Sequence, residues 1–113
     1  MQPATALPPH PNPFDCKRIE RALERRERYR YVVPRVVLDV EDRGYRIESP
    51  CCSRNVEPGG GIIDIALLKF FRPHWLLYRK DHQYSTWVLH SVTDTLNDAL
   101  AILLPDDERV FWP

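Results

Sequence analysis

Glycine is scarce in this chain, and three of its four glycines stand together as Gly59, Gly60 and Gly61. That run lacks the lysine and the following helix of a phosphate loop, so it reads as a flexible turn before a strand rather than a nucleotide site. Cysteine is scarcer still: three residues, an odd number, with no Cys-x-x-Cys spacing, which points to reduced thiols in a cytoplasmic setting. Lysine is nearly absent beside arginine, 3 against 13, a bias that fits GC-rich coding and lowers the weight of arginine counts as functional evidence. The formal net charge is zero, so no overall field favours nucleic acid or an anionic membrane as a partner. No apolar run is long enough to span a bilayer, and no charged start leads into an apolar signal segment. A cytoplasmic protein without a membrane partner is expected.

What is present is enough for one folded unit. A chain of 113 residues with 43% hydrophobic and 28% charged content can bury roughly two thirds of its unfolded surface without staples. Residues 1–12 carry Pro3, Pro8, Pro9 and Pro11 with hardly any core-forming side chains, so they are expected to form a disordered proline-rich tail; residues 13–113 form the domain. Asn12-Pro13-Phe14-Asp15 has the chemistry of a helix start: a capping amide, a proline at the first position and an acid near the positive dipole end. The helix is expected to run to about Tyr29, with Cys16, Ile19, Ala22 and Leu23 on one stripe. Arginines on its other surface are interleaved with acids, and Glu24 with Arg28 has the favourable spacing, so a solvated face is a better reading than a phosphate-binding one.

From Tyr31 to Glu41 the apolar period becomes two, with Pro34 placing the strand's start near an edge. Asp42-Arg43-Gly44 reads as a turn in which glycine supplies positive φ, and Tyr45 to Ser49 returns with Tyr45 and Ile47 inward. A long connection, Cys51 to Gly61, precedes Ile62–Phe71, whose two alternation classes are both mostly apolar. Such a strand is covered on both faces and lies centrally in its sheet. Trp75 to Asp81 and Thr86 to Ser91 form a second hairpin, with Arg79 expected across from Trp87 and Leu77 from Leu89. Thr93-Asp94-Thr95 offers caps for an amphipathic helix through Leu96, Ala99, Leu100, Leu103 and Leu104 that Pro105 stops, and the Val-Phe-Trp tail is apolar enough to dock back. The expected fold class is α+β, a mainly antiparallel sheet of about five strands with an N-terminal and a C-terminal helix.

That order of elements, together with Trp75-Leu76-Leu77-Tyr78-Arg79-Lys80-Asp81, then Trp87, then Asp107 and Phe111-Trp112, resembles the small bacterial proteins grouped as domain of unknown function 3024. The resemblance runs from Arg18 onward, and the Cys51 to Gly61 segment is not part of the pattern. It implies a bacterial α+β domain with no assigned activity, and it supplies no catalytic residues.

The local chemistry is therefore weighed residue by residue. Asp64 is a carboxylate set among isoleucines and needs a partner, since burying it unpaired would cost several kcal/mol or force it neutral. Arg54 is the expected partner, with Ser53 and Asn55 satisfying loop backbone; alternatively Ser53, Arg54, Asn55 and Asp64 bind a carboxylate or phosphate, with or without catalysis. Cys51 and Cys52 point apart in an extended segment. Either could join Cys16, His74 or His82 around zinc, or act as a thiolate near Arg54, but structural thiols are the plainer reading, and no metal or cofactor is assigned. His74, His82 and His90 are ordinary lone histidines unless a second catalytic group converges on one. Trp75, Tyr78, Tyr84 and Trp87 gather on the second hairpin. Two helices comfortably cover one face of five strands, leaving the other face or an edge for a second copy or another protein. The expectation is a non-enzymatic binding or assembly module using the aromatic hairpin and the 51–61 loop. Its candidate binding residues are Cys52, Ser53, Arg54, Asn55, Asp64, Trp75, Tyr78 and Trp87.

Overall fold

The computed structural model describes residues 9–26, 33–50 and 61–112. Its elements are helix α1 (Pro13–Leu23), strands β1 (Arg35–Asp39), β2 (Gly44–Pro50), β3 (Ile62–Phe71), β4 (His74–Asp81) and β5 (Thr86–Thr93), and helix α2 (Leu96–Leu103). The strands form one antiparallel sheet in chain order, so β3 is central, as its doubly apolar pattern predicts. This is the expected α+β architecture.

Each helix starts at a side-chain cap. Asn12 Oδ1 accepts from the Asp15 amide at 2.8 Å, and Thr95 Oγ1 accepts from the Asp98 amide at 3.0 Å; both relieve amides that have no partner within the helix. Ile19, Ala22 and Leu23 of α1 and Leu96, Ala99, Leu100 and Leu103 of α2 are buried. They join Val36, Tyr45, Ile47, Ala66, Leu68, Trp75 and Leu77 in one core on a single face of the sheet. The C-terminal segment closes that core: Phe111 and Trp112 are 2% and 3% exposed, and Trp112 Nε1 donates to the Leu103 carbonyl at 3.1 Å. Its return is organised by Asp106, at φ 47°. The buried Asp106 carboxylate accepts from the amides of Val110 (2.8 Å), Phe111 (3.1 Å) and Trp112 (2.9 Å).

Several boundaries differ from the expectations. Helix α1 ends at Leu23 rather than near Tyr29, closing with tighter bonds from the Arg25 amide to Ala22 and from the Arg26 amide to Leu23. Arg26, the stripe's next position, is buried, and its guanidinium donates to the Leu23 carbonyl at 2.9 Å and lies 5.3 Å from the Trp112 ring centre, closing the helix end. Strand β1 is shorter than Tyr31 to Glu41, because the turn begins at Val40. Within that turn Arg43, not Gly44, takes positive φ (52°), while the Asp39 carboxylate accepts from the Asp42 amide at 3.0 Å. Gly44 instead lies in β2 opposite Lys69, where a Cβ would stand 2.6 Å from the Leu68 carbonyl oxygen. Its role is close approach of backbone.

The second hairpin is offset by one residue from the simplest register. Lys80 faces Trp87 and Tyr78 faces Leu89, in place of Arg79 with Trp87 and Leu77 with Leu89. The turn itself is the expected one, His82 to Ser85. The Asp81 carboxylate accepts from the Gln83 and Tyr84 amides at 3.0 and 3.2 Å, and Ser85 takes φ 55°, which fixes Asp81 opposite Thr86. The offset reassigns side chains between faces, putting Tyr78 and Trp87 together on the side away from the helices.

Candidate functional site

With both helices on one face, the other face is built from the alternate residues of each strand. Opposite the buried Tyr45 and Ile47, strand β2 presents Arg46 and Glu48; β3 presents Asp64, Leu67 and Lys69; β4 presents Leu76, Tyr78 and Lys80; β5 presents Trp87, Leu89 and Val92. Among the described residues no helix packs on this face. It divides into a charged half over β1 to β3 and an apolar half over β4 and β5.

Arg46 is the centre of the charged half. Its guanidinium reaches Asp39 at 3.2 Å, Glu48 at 2.7 Å and Asp64 at 3.0 Å. Arg35 also pairs with Glu48, and Lys80 Nζ stands 3.2 Å from Asp64. Burial works against the Arg46 charge, but the bonds to Asp64 and Glu48 outweigh it and raise its pKa. The Asp39 carboxyl is held below its usual range, first by the Asp42 amide, against partial burial, with Arg46 adding to the effect. A guanidinium with its donors so engaged orders the sheet and has little capacity left for an outside anion. The cations also bridge to the aromatic half: Lys80 Nζ lies 4.7 Å from the Trp87 ring centre, and Lys69 Nζ 5.3 Å from that of Tyr78. Leu89 and Val92 remain about half exposed, at 48% and 54%.

The predicted site residues separate accordingly. Tyr78 and Trp87 belong to this face, and Asp64 finds its partners on neighbouring strands in Arg46 and Lys80. Trp75 does not belong to it: at 6% exposure it sits in the helix-side core. Cys51, Cys52, Ser53, Arg54 and Asn55 lie outside the described residues, as does the proposed Arg54 pairing. Cys16 is a half-buried free thiol whose pKa is pushed up by burial and by Glu20, partly offset by Lys17, which disfavours the thiolate. His74 pairs with Asp94 at 3.3 Å on the surface, and His82 lies in an exposed turn. Among the described residues no three of His, Cys, Asp and Glu converge where a metal ion could sit. Among them also, no helix is long and apolar enough to cross a membrane.

Sequence reasoning missed Arg46, Asp39, Glu48 and Lys80. The signal was available in strand alternation, since any residue next to an inward Tyr45 or Ile47 must face the other way. It also missed His10. That ring packs 4.7 Å from Phe70 and 5.3 Å from Trp75, with Nδ1 2.6 Å from the Tyr45 hydroxyl, while the Asn12 amide donates to the same hydroxyl at 3.0 Å. Burial pushes the Tyr45 pKa up to about 12 and the His10 pKa below its usual value, the latter against the pull of Asp15. These contacts pin the start of α1 to the sheet; nothing in a proline-rich stretch signals them.

No curated protein matches the chain, and no solved structure matches it. The family model for a domain of unknown function, DUF3024, matches residues 7–113. That span takes in every strand and helix described above, including the open face and the docked C-terminal tail, and the chain belongs to the DUF3024 family.

Proposed function

We propose that this chain is a binding and assembly module, with the open face of its sheet as the contact surface and a second copy of the chain as its occupant. The observation that supports this reading is the one-sided placement of the helices, which among the described residues leaves Tyr78, Trp87, Leu89 and Val92 without helical cover. Aromatic side chains with adjoining cations are the groups that carry contact energy at protein interfaces. A five-stranded sheet face of this length offers on the order of 600 Å² per partner, which puts a face-to-face pair at the lower end of specific interfaces. The charged half suits a second copy because it holds acids and bases in near balance, so a twofold arrangement sets neither sign against itself. The 51–61 connection enters and leaves the sheet at Pro50 and Ile62, beside the charged half, and is proposed as the second part of the surface.

Sedimentation velocity across a wide range of protein concentration tests the proposal. The wild-type chain is expected to shift from monomer to dimer with concentration, and Leu89→Asp, which puts an unpaired charge into the apolar half, is expected to remain monomeric with an unchanged melting temperature. A wild-type chain that stays monomeric throughout, or a Leu89→Asp chain that dimerises as well as wild type, would refute the proposal.

A further inference from the structure

A separate group of side chains lies across the sheet, on the helix side of β5. Leu77 pairs with Ser91 and Tyr78 with Leu89, so His90 is an extra residue in the strand. A bulge of this kind redirects a side chain out of the regular alternation. The His90 ring packs against Phe111, centre to centre 4.9 Å, and its side chain is 17% exposed. In that position Nδ1 stands 2.5 Å from Ser91 Oγ and Nε2 stands 3.0 Å from Glu108 Oε1. A single neutral tautomer satisfies both contacts: Nε2–H donates to Glu108, and Nδ1 accepts from the Ser91 hydroxyl.

This is the connectivity of an activated hydroxyl: a nucleophile bonded to a base, and the base oriented by a carboxylate. One further feature favours access by a substrate. Among the described strands β5 has a neighbour only on the β4 side, so its outer edge carries backbone amides able to face a carbonyl oxygen. A cleft of about 280 Å³ is lined by Glu108 and Phe111, the two residues that hold the His90 ring, but not by Ser91 or His90 themselves.

We infer that Ser91, His90 and Glu108 form an acyl-transfer centre that hydrolyses small esters with good leaving groups. Ser91 Oγ attacks the acyl carbon as its proton passes to His90 Nδ1, and Glu108 steadies the ring cation through Nε2. The bond from the acyl carbon to the alcohol oxygen then breaks, and the alcohol leaves with the proton from Nδ1. Water attacks the acyl-serine, gives its proton to Nδ1, and the acid departs as Ser91 recovers that proton. The sum is ester plus water to acid plus alcohol, with no change of oxidation state. Ser91 and His90 are the catalytic residues, and Glu108 is a positioning residue.

The test treats the full chain with a serine-reactive fluorophosphonate and maps the adduct by peptide mass spectrometry, alongside hydrolysis of p-nitrophenyl acetate. One adduct per chain on Ser91, with loss of fluoride, is expected, and Ser91→Ala is expected to lose both the adduct and the hydrolysis. Glu108→Gln, a change at an exposed position, is expected to lower kcat roughly tenfold or more while leaving KM and the melting temperature near wild type. Absence of an adduct on Ser91 in the wild-type chain overturns the inference without reference to any variant. So does ester hydrolysis in Ser91→Ala equal to wild type.

Discussion

Removing the Asp106 carboxylate tests how the C-terminal segment is held. In Asp106→Ala the amides of Val110, Phe111 and Trp112 lose the acceptor that now lies 2.8 to 3.1 Å from them. A hydrogen bond to a charged acceptor contributes about 1.5–3 kcal/mol, and a buried amide left without a partner costs a similar amount. The three are not additive, because the tail can undock and hydrate them. Undocking sacrifices the burial of Phe111 and Trp112, which limits the loss to on the order of 4 kcal/mol. The expected loss is therefore about 3 kcal/mol, a large share of the roughly 5–15 kcal/mol that holds a domain of this size. Asp106 also sits at φ 47°, where alanine is strained, so Asp106→Gly serves as the control that frees the backbone but still lacks the carboxylate. Asp106→Asn keeps one acceptor oxygen and tolerates that backbone, and about half the loss is expected. Urea unfolding followed by circular dichroism gives the free energies, and amide exchange at residues 110–112 shows whether the tail has released. An Asp106→Ala chain within about 1 kcal/mol of wild type, or an Asp106→Gly chain with full stability, would refute the reasoning.

Gly44→Ala is expected to cost about 1–3 kcal/mol in urea unfolding, because its Cβ would meet the Leu68 carbonyl oxygen at 2.6 Å; unchanged stability would mean that β2 and β3 can separate there at no cost. Arg46→Met leaves Asp39, Glu48 and Asp64 without their shared cation and is expected to lose about 2 kcal/mol at neutral pH. Since the Asp39 pKa lies below 3.8 in the folded chain, its stabilisation is present above that value and lost as pH falls through the folded pKa. NMR titration of Arg46→Met should find Asp39 moved upward, and an unmoved Asp39 would contradict the assignment. His10 has the opposite acid–base type: burial lowers its pKa from 6.5, so below that pH the unfolded chain takes up the proton first and stability falls on acidification. The wild-type melting temperature should drop more between about pH 7 and pH 5 than that of His10→Phe, and equal drops would show that the His10 ring is not held neutral against Tyr45.

The parts of the fold that were legible in the sequence are those set by local rules. Asn12 and Thr95 announce their helices because a free amide needs an acceptor, and β3 announces its central place because both of its alternation classes are apolar. Tyr45 and Ile47 were correctly placed in the core by period two. What was not legible depends on contacts distant in sequence or on backbone geometry. The register of the second hairpin turned on Ser85 entering positive φ and on the Asp81 carboxylate holding the turn, neither of which a residue pattern reveals. Trp75 and Trp87 look alike in the chain, yet the strand offset buries one among the helices and leaves the other on the open face. Asp64 plainly required a partner; that the partners are Arg46 and Lys80 follows from strand pairing, not from spacing. Asp106 has no distinguishing neighbours at all, and its role appears only when the chain folds back on it.

The most direct test of the open-face account is hydroxyl-radical footprinting of the full chain at low and high protein concentration. Phe14, 73% exposed on α1, serves as the internal standard, and Trp75 and Trp112, at 6% and 3%, should be protected throughout. Tyr78, Trp87 and Leu89 are expected to lose reactivity together as concentration rises while Phe14 does not change. Constant reactivity at Trp87 and Leu89, or protection that falls on the helix side instead, would contradict it.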